Sequence, residues 1–205
     1  MADALVSRPL LGLSIRLDPT TPDDASDLLA AAGSPETFRW FSKGPDPFDQ
    51  AGMARHVQRL LDKPDVEPLT LRLVDSGRVI GMTSYLEIRP EHRGLEIGWT
   101  FIAPDQRGTK SNPEMKRLLL AHAFDTSLFS ACGFHQGGAA LRVALKTHHE
   151  NIGSQRAIEK LGATREGVLR NHIVMPDGGI RHTVMYSITP EQWPAVREGL
   201  DRRLG

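Results

Sequence analysis

Leu95-Glu96-Ile97-Gly98-Trp99-Thr100-Phe101-Ile102-Ala103-Pro104, then Asp105-Gln106-Arg107-Gly108-Thr109-Lys110-Ser111, then Asn112-Pro113-Glu114, is the stretch whose reading decides the fold. The first part alternates as a strand over Leu95 to Ile102 and stops at Ala103-Pro104. A short polar loop follows, and Asn112-Pro113-Glu114 opens a helix with Met115, Leu118, Leu119 and Phe124 as its inner stripe. Backbone N–H groups left unpaired at a helix start, together with the positive end of its dipole, favour an anion. The series therefore reads as the pyrophosphate seat of a nucleotide cofactor, spread over Gln106, Arg107, Gly108, Thr109, Lys110, Ser111 and Asn112.

The same alternation extends in both directions. Upstream, Ser14 to Leu17 reads as a short strand, and Thr21-Pro22-Asp23-Asp24 starts a helix with a capping side chain and acidic residues near the dipole's positive end. Phe48, Met53, Val57, Leu60 and Leu61 mark one face of a second helix. Leu69 to Val74 and Val79 to Glu87 form a hairpin across Asp75-Ser76-Gly77-Arg78. Downstream, Leu141 to Thr147 is a strand, and Asn151 caps a helix that ends at Leu161-Gly162. Val168 to Val174 and Ile180 to Ile188 flank a turn-rich connection, and Thr189-Pro190-Glu191-Gln192 caps a terminal helix. The fold class is α/β, a mixed sheet of about seven strands flanked by helices.

Composition narrows the function. A chain of 205 residues with 40% hydrophobic content suits one domain over 1–205. Its 25 basic residues balance 25 acidic ones, so no global field draws it to nucleic acid or to anionic lipid. A single cysteine, Cys132, precludes an internal disulfide, and no apolar run reaches membrane-span length. A cytoplasmic protein is the expectation.

Alternation on the strand 95–102 puts Leu95, Ile97, Trp99 and Phe101 on one face and Glu96, Gly98, Thr100 and Ile102 on the other. A carboxylate, a glycine and a hydroxyl in succession on an interior strand point to something polar lying over them. The alternative is a Glu96 simply paired with a neighbouring arginine. A triphosphatase P-loop is excluded on spacing, since Gly98 lies too far before Gly108-Thr109-Lys110-Ser111 and no Gly-Lys-Ser/Thr occurs.

Leu95-Glu96-Ile97-Gly98-Trp99, the Arg107-Gly108-Thr109 loop and the run from Asn151 to Ala163, with its Asn-x-x-Ser-x-x-x-x-Glu-Lys-Leu-Gly pattern, resemble the GNAT N-acetyltransferase superfamily, nearest its RimJ/RimL branch. The likeness covers roughly Leu13 to Ile188. It implies a mostly antiparallel sheet with a splayed parallel pair at its centre, and acetyl-CoA, or another acyl-CoA, as donor, without a metal. The acceptor it implies is a primary amine, either a protein N-terminus or a small molecule.

By the same resemblance, Phe101 and Ile102 supply main-chain contacts to the pantetheine arm, and Ile102 N–H is the oxyanion donor. Ser154 protonates the departing sulfur, Asn151 orients the arm or a water, and Arg156 meets phosphate or solvent. The family loop commonly places small residues where Lys110 and Asn112 stand, and glycine there permits positive φ that lysine resists. The late hairpin reads Arg170-Asn171-His172-Ile173-Val174, without the acid that relatives carry, so the base falls to Glu96 or His172. Trp40, Phe41 and Trp99 wall the acceptor pocket with His172, or else Trp40 and Phe41 are plain core.

Freeing an α-amine at pH 7 costs about 1 to 1.4 kcal/mol, against roughly 4.6 kcal/mol for lysine, which favours an N-terminal or small-molecule amine. The segment Leu128 to Ala140, rich in glycine, reads as a substrate-side flap, a homodimer contact or a surface insertion. The competing function is a non-catalytic acyl-CoA binding or sensing protein of the same fold.

Overall fold

The structure is a computed structural model that describes residues 4–130 and 138–205. Among these residues eight strands form one sheet in the order β1-β2-β3-β4-β5-β6-β8-β7. They are β1 (Leu10–Leu11), β2 (Ile15–Pro19), β3 (Glu67–Leu73), β4 (Val79–Arg89), β5 (Gly94–Ile102), β6 (Arg142–His148), β7 (Thr164–Val174) and β8 (Ile180–Ile188). Among the described residues five α-helices cover the sheet: α1 (Ala25–Ala32), α2 (Gln50–Leu61), α3 (Ser111–Asp125), α4 (Ile152–Leu161) and α5 (Trp193–Leu204). The strand beyond the expected seven is the two-residue β1, too short to leave an alternation in the sequence. No helix among the described residues is long and apolar enough to cross a membrane.

Every strand pairing among the described residues is antiparallel except β5 with β6. That pair is in register only at Gly94↔Arg142, Leu95↔Val143 and Glu96↔Ala144, so β5 from Ile97 onward and β6 from Leu145 onward part company. The implied splay is present.

Trp99 corrects the expected face assignment of β5. Between the pairs Met82↔Phe101 and Ser84↔Gly98, two residues of β5 oppose the single Thr83, and Trp99 sits at φ 46°. Such a bulge reverses the alternation beyond it. Leu95 and Ile97 stay on the face of Tyr85, whose hydroxyl donates to Leu119 O of α3 at 2.7 Å. Phe101 is turned to the opposite face, where its ring packs edge-on against Phe38 at 5.2 Å.

Local signals account for several helix ends. Asp49 caps α2 by accepting Gly52 N–H at 2.7 Å, and Asn151 caps α4 by accepting Ser154 N–H at 3.1 Å. Gly162, at φ 97°, closes α4 in the left-handed position. The start of α3 differs from expectation: Lys110 stands at the N-cap and Asn112 lies one residue inside the helix. Glu114 fixes that first turn, since its carboxylate accepts Ser14 N–H at 3.0 Å and closer bonds from Leu13 N–H and the Ser14 hydroxyl. The readings of Cys132 and of most of the Leu128 to Ala140 segment, Gly133 and Gly137 included, lie outside the described residues.

Candidate active site

The parting of β5 and β6 leaves backbone groups without a sheet partner. Ala103 N–H donates to Ile80 O at 2.7 Å, which puts the next pair, Ile102 opposite Gly81, in the non-hydrogen-bonded position. Ile102 therefore aims its N–H and C=O away from β4, into the gap. Arg107 Nε takes the carbonyl at 3.0 Å, and the N–H is left over.

Beyond Ile102, the loop closes on itself through side chains. Thr109 Oγ1 donates to Gln106 O at 2.8 Å, Ser111 Oγ donates to Gln106 Oε1 at 3.0 Å, and Arg107 Nη2 reaches Thr37 Oγ1 at 3.2 Å. The N–H groups of Gly108, Thr109, Lys110 and Asn112 have no partner among the described residues. Gly108 is the loop's one positive-φ residue, at 77°, and a Cβ there would meet nothing within 4 Å. Lys110 is right-handed at φ −71°, so it meets none of the backbone demand that a glycine would serve. Its ammonium points outward and donates to Leu204 O at the end of α5. Four free donors beside an open glycine, at the start of a fifteen-residue helix, fit a diphosphate.

Glu96 stands where the strands part. Its side chain is buried, and its ion-pair partner is a lysine rather than the expected arginine: Lys146 Nζ lies 2.8 Å from Oε2. The angles of that contact leave Oε2 without a formed hydrogen bond, and Lys146 is shared with Glu87. Burial pushes the Glu96 carboxyl up to about 7, against the opposing pull of Lys146. Burial also works against charge on Lys146, but Glu96 and Glu87 together hold its ammonium above the ordinary value. Gly98 makes room, because a Cβ there would lie 2.5 Å from Glu96 Oε1 and 2.7 Å from Leu86 Cδ1. Lys116, on the sheet-facing side of α3 with Leu120 and Ala123, is pushed down to about 8 by burial, with Glu96 opposing.

The face that carries Glu96 continues into β6 and β8. Lys146 pairs with Met185 and His148 with Thr183, which sets Lys146, His148, Thr183 and Arg181 on one side. Trp40 covers that side, its ring 4.8 Å from His148. Phe41 instead packs edge-on against Phe38 at 5.2 Å, in the half-buried shell of the core. Trp99 is half-buried under Lys63, whose ammonium lies 5.9 Å from the ring centroid. His172 is exposed on the late hairpin with Nδ1 3.0 Å from Thr183 Oγ1. Ser154 is half-buried in the first turn of α4, and Arg156, two residues on, is exposed.

His148, His149 and Glu150 bring ligand-type atoms within 4.8 Å of one another. Nδ1 of His148 is already taken by Glu150 N–H at 3.0 Å, and Nδ1 of His149 by His182 N–H at 3.2 Å. The first bond puts the hydrogen of a neutral His148 on Nε2, while Nδ1 of His149 lies 3.2 Å from His182 O as well as from His182 N–H.

Residues 14–164 match the acetyltransferase (GNAT) domain family. The chain belongs to the GNAT acetyltransferase family. A structure from T. thermophilus, titled a "putative acetyltransferase", is 34% identical, with 98% of each chain covered and a TM-score of 0.85. A GCN5-related N-acetyltransferase from Brucella melitensis is 24% identical over 97% of this chain and 86% of that one, with a TM-score of 0.82. The RimL ribosomal L7/L12 alpha-N-protein acetyltransferase, solved with coenzyme A, shares the fold at 15% identity, with 89% of this chain and 98% of that one covered and a TM-score of 0.68. No match was found among curated proteins. Family and relatives support acyl-CoA-dependent acetyl transfer by this GNAT protein.

Sequence reasoning missed Lys146, His148, Thr183 and Arg181. Lys146 and His148 fall on a strand read only for its apolar alternation, yet both occupy the face where Leu145 and Val143 do not. A period-two count of the polar positions would have found them.

Proposed function

We propose that this GNAT protein, working as a single domain over 1–205, transfers the acetyl group of acetyl-CoA to a primary amine, either a protein N-terminal α-amine or a small-molecule amine. A RimJ/RimL-type role and a cytoplasmic site of action belong to the same proposal. The observation that carries it is Glu96, a buried carboxyl held near 7 at the point where β5 and β6 separate. A base poised at the working pH transfers protons most effectively. The acid missing from the late hairpin is thereby replaced on β5, which weighs against the acyl-CoA sensor.

Acetyl-CoA, when bound, supplies an activated acyl group. The loop donors at Gly108, Thr109, Lys110 and Asn112 would hold the diphosphate, with Arg107, Ser111, Asn151 and Arg156 around them and Phe101 and Ile102 along the arm. Glu96 accepts the amine proton, directly or through a water, with His172 as the other base candidate. Ile102 N–H donates to the oxygen on which charge develops, and the Ser154 hydroxyl returns a proton to the sulfur. Trp40, Phe41 and Trp99 contribute to the acceptor wall.

A panel of amines with acetyl-CoA, read by release of free thiol, tests the reading. N-terminal peptides or small amines should turn over faster than matched peptides whose only free amine is lysine. A faster lysine peptide reverses the acceptor assignment, and no turnover with any amine removes the enzyme reading.

A further inference from the structure

Arg181 is 7% exposed, a degree of burial that arginine rarely accepts without a carboxylate partner. Among the described residues no carboxylate oxygen lies within 4.0 Å of it. Nε donates to Thr183 Oγ1 at 2.9 Å, and Nη1 donates to Trp40 O at 3.4 Å. Nη2 donates to no described residue, so part of a rigid five-donor fork is unspent. Glu96, the acid that acts on it electrostatically, is already taken by Lys146 at 2.8 Å.

The position matters as much as the unspent donors. The bond to Thr183 bends Arg181 back along β8 toward Met185, which pairs with Lys146, the partner of Glu96. One two-residue strand repeat, about 7 Å, separates Thr183 from Met185. The neighbouring groups are Trp40 and His148 on one side and His172, through Thr183, on the other. His172 also lines an open depression of about 750 Å³ with Arg170, Asn171 and His182. Cationic and donor groups dominate this wall; the described acids near it are Glu96 and the exposed Glu150.

We infer that Arg181 reads a carboxylate on the acceptor, so that the acceptor is an amine bearing a carboxylate about one strand repeat from its nitrogen. A planar guanidinium edge matches a carboxylate with two parallel bonds. The inference rests on the acetyl-transfer reading for the acceptor's amine, and on Arg181 alone for its carboxylate. Two sources share this chemistry: a small ω-amino acid, and a peptide with an acidic second residue.

Matched pairs separate the sources and the claims. The pairs are 4-aminobutanoate with its amide, and Ser-Asp-Ala-Ala amide with Ser-Asn-Ala-Ala amide. In the native protein, kcat/KM within at least one pair should favour the carboxylate by about tenfold or more, as expected of charge-assisted bonds in a desolvated site. The pair that discriminates names the source. In Arg181→Gln the ratio within that pair should fall toward one, and Arg181→Lys should retain part of it. A native ratio near one in both pairs overturns the inference, as does a ratio that survives in Arg181→Gln. If no member is acetylated, the wider amine panel judges the acetyl-transfer reading separately, and calorimetry with the same four compounds decides Arg181. Equal affinity within both pairs overturns it, and tighter carboxylate binding that Arg181→Gln abolishes upholds it.

Discussion

Lys146 Nζ lies 2.8 Å from Glu96 Oε2 across the only parallel pairing of the described sheet, and the same ammonium also pairs with Glu87 at the end of β4. One cation thus ties together three strands at the point where two of them diverge. It stabilises the charged form of Glu96 without cancelling burial, which leaves the carboxyl near 7 instead of in the ordinary carboxylate range.

A pH profile follows from that balance. kcat/KM for an α-amine acceptor should rise through an acid limb near 7 as Glu96 ionises, and again as the amine itself loses its proton near ~8. Glu96→Gln should lower the rate by about 10²- to 10⁴-fold and erase the first limb only. Persistence of both limbs in that variant would assign the base elsewhere, with His172 as the next candidate.

Stability should respond with the opposite sign. A carboxyl whose folded pKa is raised binds its proton more tightly in the folded state, so its contribution is complete below the unfolded value of about 4.5 and is lost as pH rises through about 7. Between pH 5 and pH 8 the native protein should lose up to roughly 3 kcal/mol relative to Glu96→Gln. Burial lowers the pKa of His56, His122 and His148, which opposes this trend, but those groups are common to both proteins and cancel in the difference. Denaturant midpoints of the pair at the two pH values measure it, and parallel curves would place Glu96 in contact with water.

Gly98→Ala isolates position from chemistry. The added methyl would lie 2.5 Å from Glu96 Oε1 and 2.7 Å from Leu86 Cδ1, both ends of side chains that can move. The fold should survive with a loss of about 1 to 3 kcal/mol, typical of overpacking. Activity should fall tenfold or more while coenzyme A affinity in calorimetry stays near native, because the displaced group is the base. An unaltered rate would show that Glu96 needs no fixed rotamer.

Much of the architecture was legible in the sequence because local chemistry wrote it. Thr21 with Asp24, Asn151 and Gly162 stand at helix ends for reasons of capping and φ, and the apolar periods of α2, β3 and β4 match what the sheet and its helices bury. The polar side of the site was legible only in part. Glu96 stood out because it interrupts an apolar strand, whereas Lys146, its ion-pair partner, and Arg181, which acts on it only through its charge, lie on strands fifty and eighty-five residues further on, a separation that no local period reports. The reversal of Phe101 was equally hidden, since Trp99 is a residue that ordinarily avoids positive φ. Lys110 at the α3 N-cap was unreadable for a related reason: neither its side chain nor its φ advertises a cap.

Ser154→Ala separates turnover from binding. Ser154 N–H already serves the Asn151 cap, so loss of the hydroxyl leaves the start of α4 intact. An enzyme should lose rate, most with amines whose attack leaves sulfur to depart slowly, and keep its coenzyme A affinity. An unchanged rate would remove Ser154 from the proton's return path and leave that task to water.

The phosphate loop divides its work between backbone and side chain, and two substitutions tell them apart. Lys110 spends its ammonium on Leu204 O, outside the loop, so Lys110→Ala should change coenzyme A affinity by no more than about threefold, the range of a screened surface charge. Gly108 holds φ 77° with open space around its Cβ, so Gly108→Val adds no clash but forces a β-branched residue out of the left-handed region. The strain, of about 1 to 3 kcal/mol, would swing the neighbouring N–H groups of Thr109 and Lys110 out of alignment. Affinity for coenzyme A should then drop about tenfold or more, while affinity for pantetheine, which lacks the diphosphate, should be unaffected. A larger loss from Lys110→Ala than from Gly108→Val would mean that charge, and not aligned amides, seats the anion.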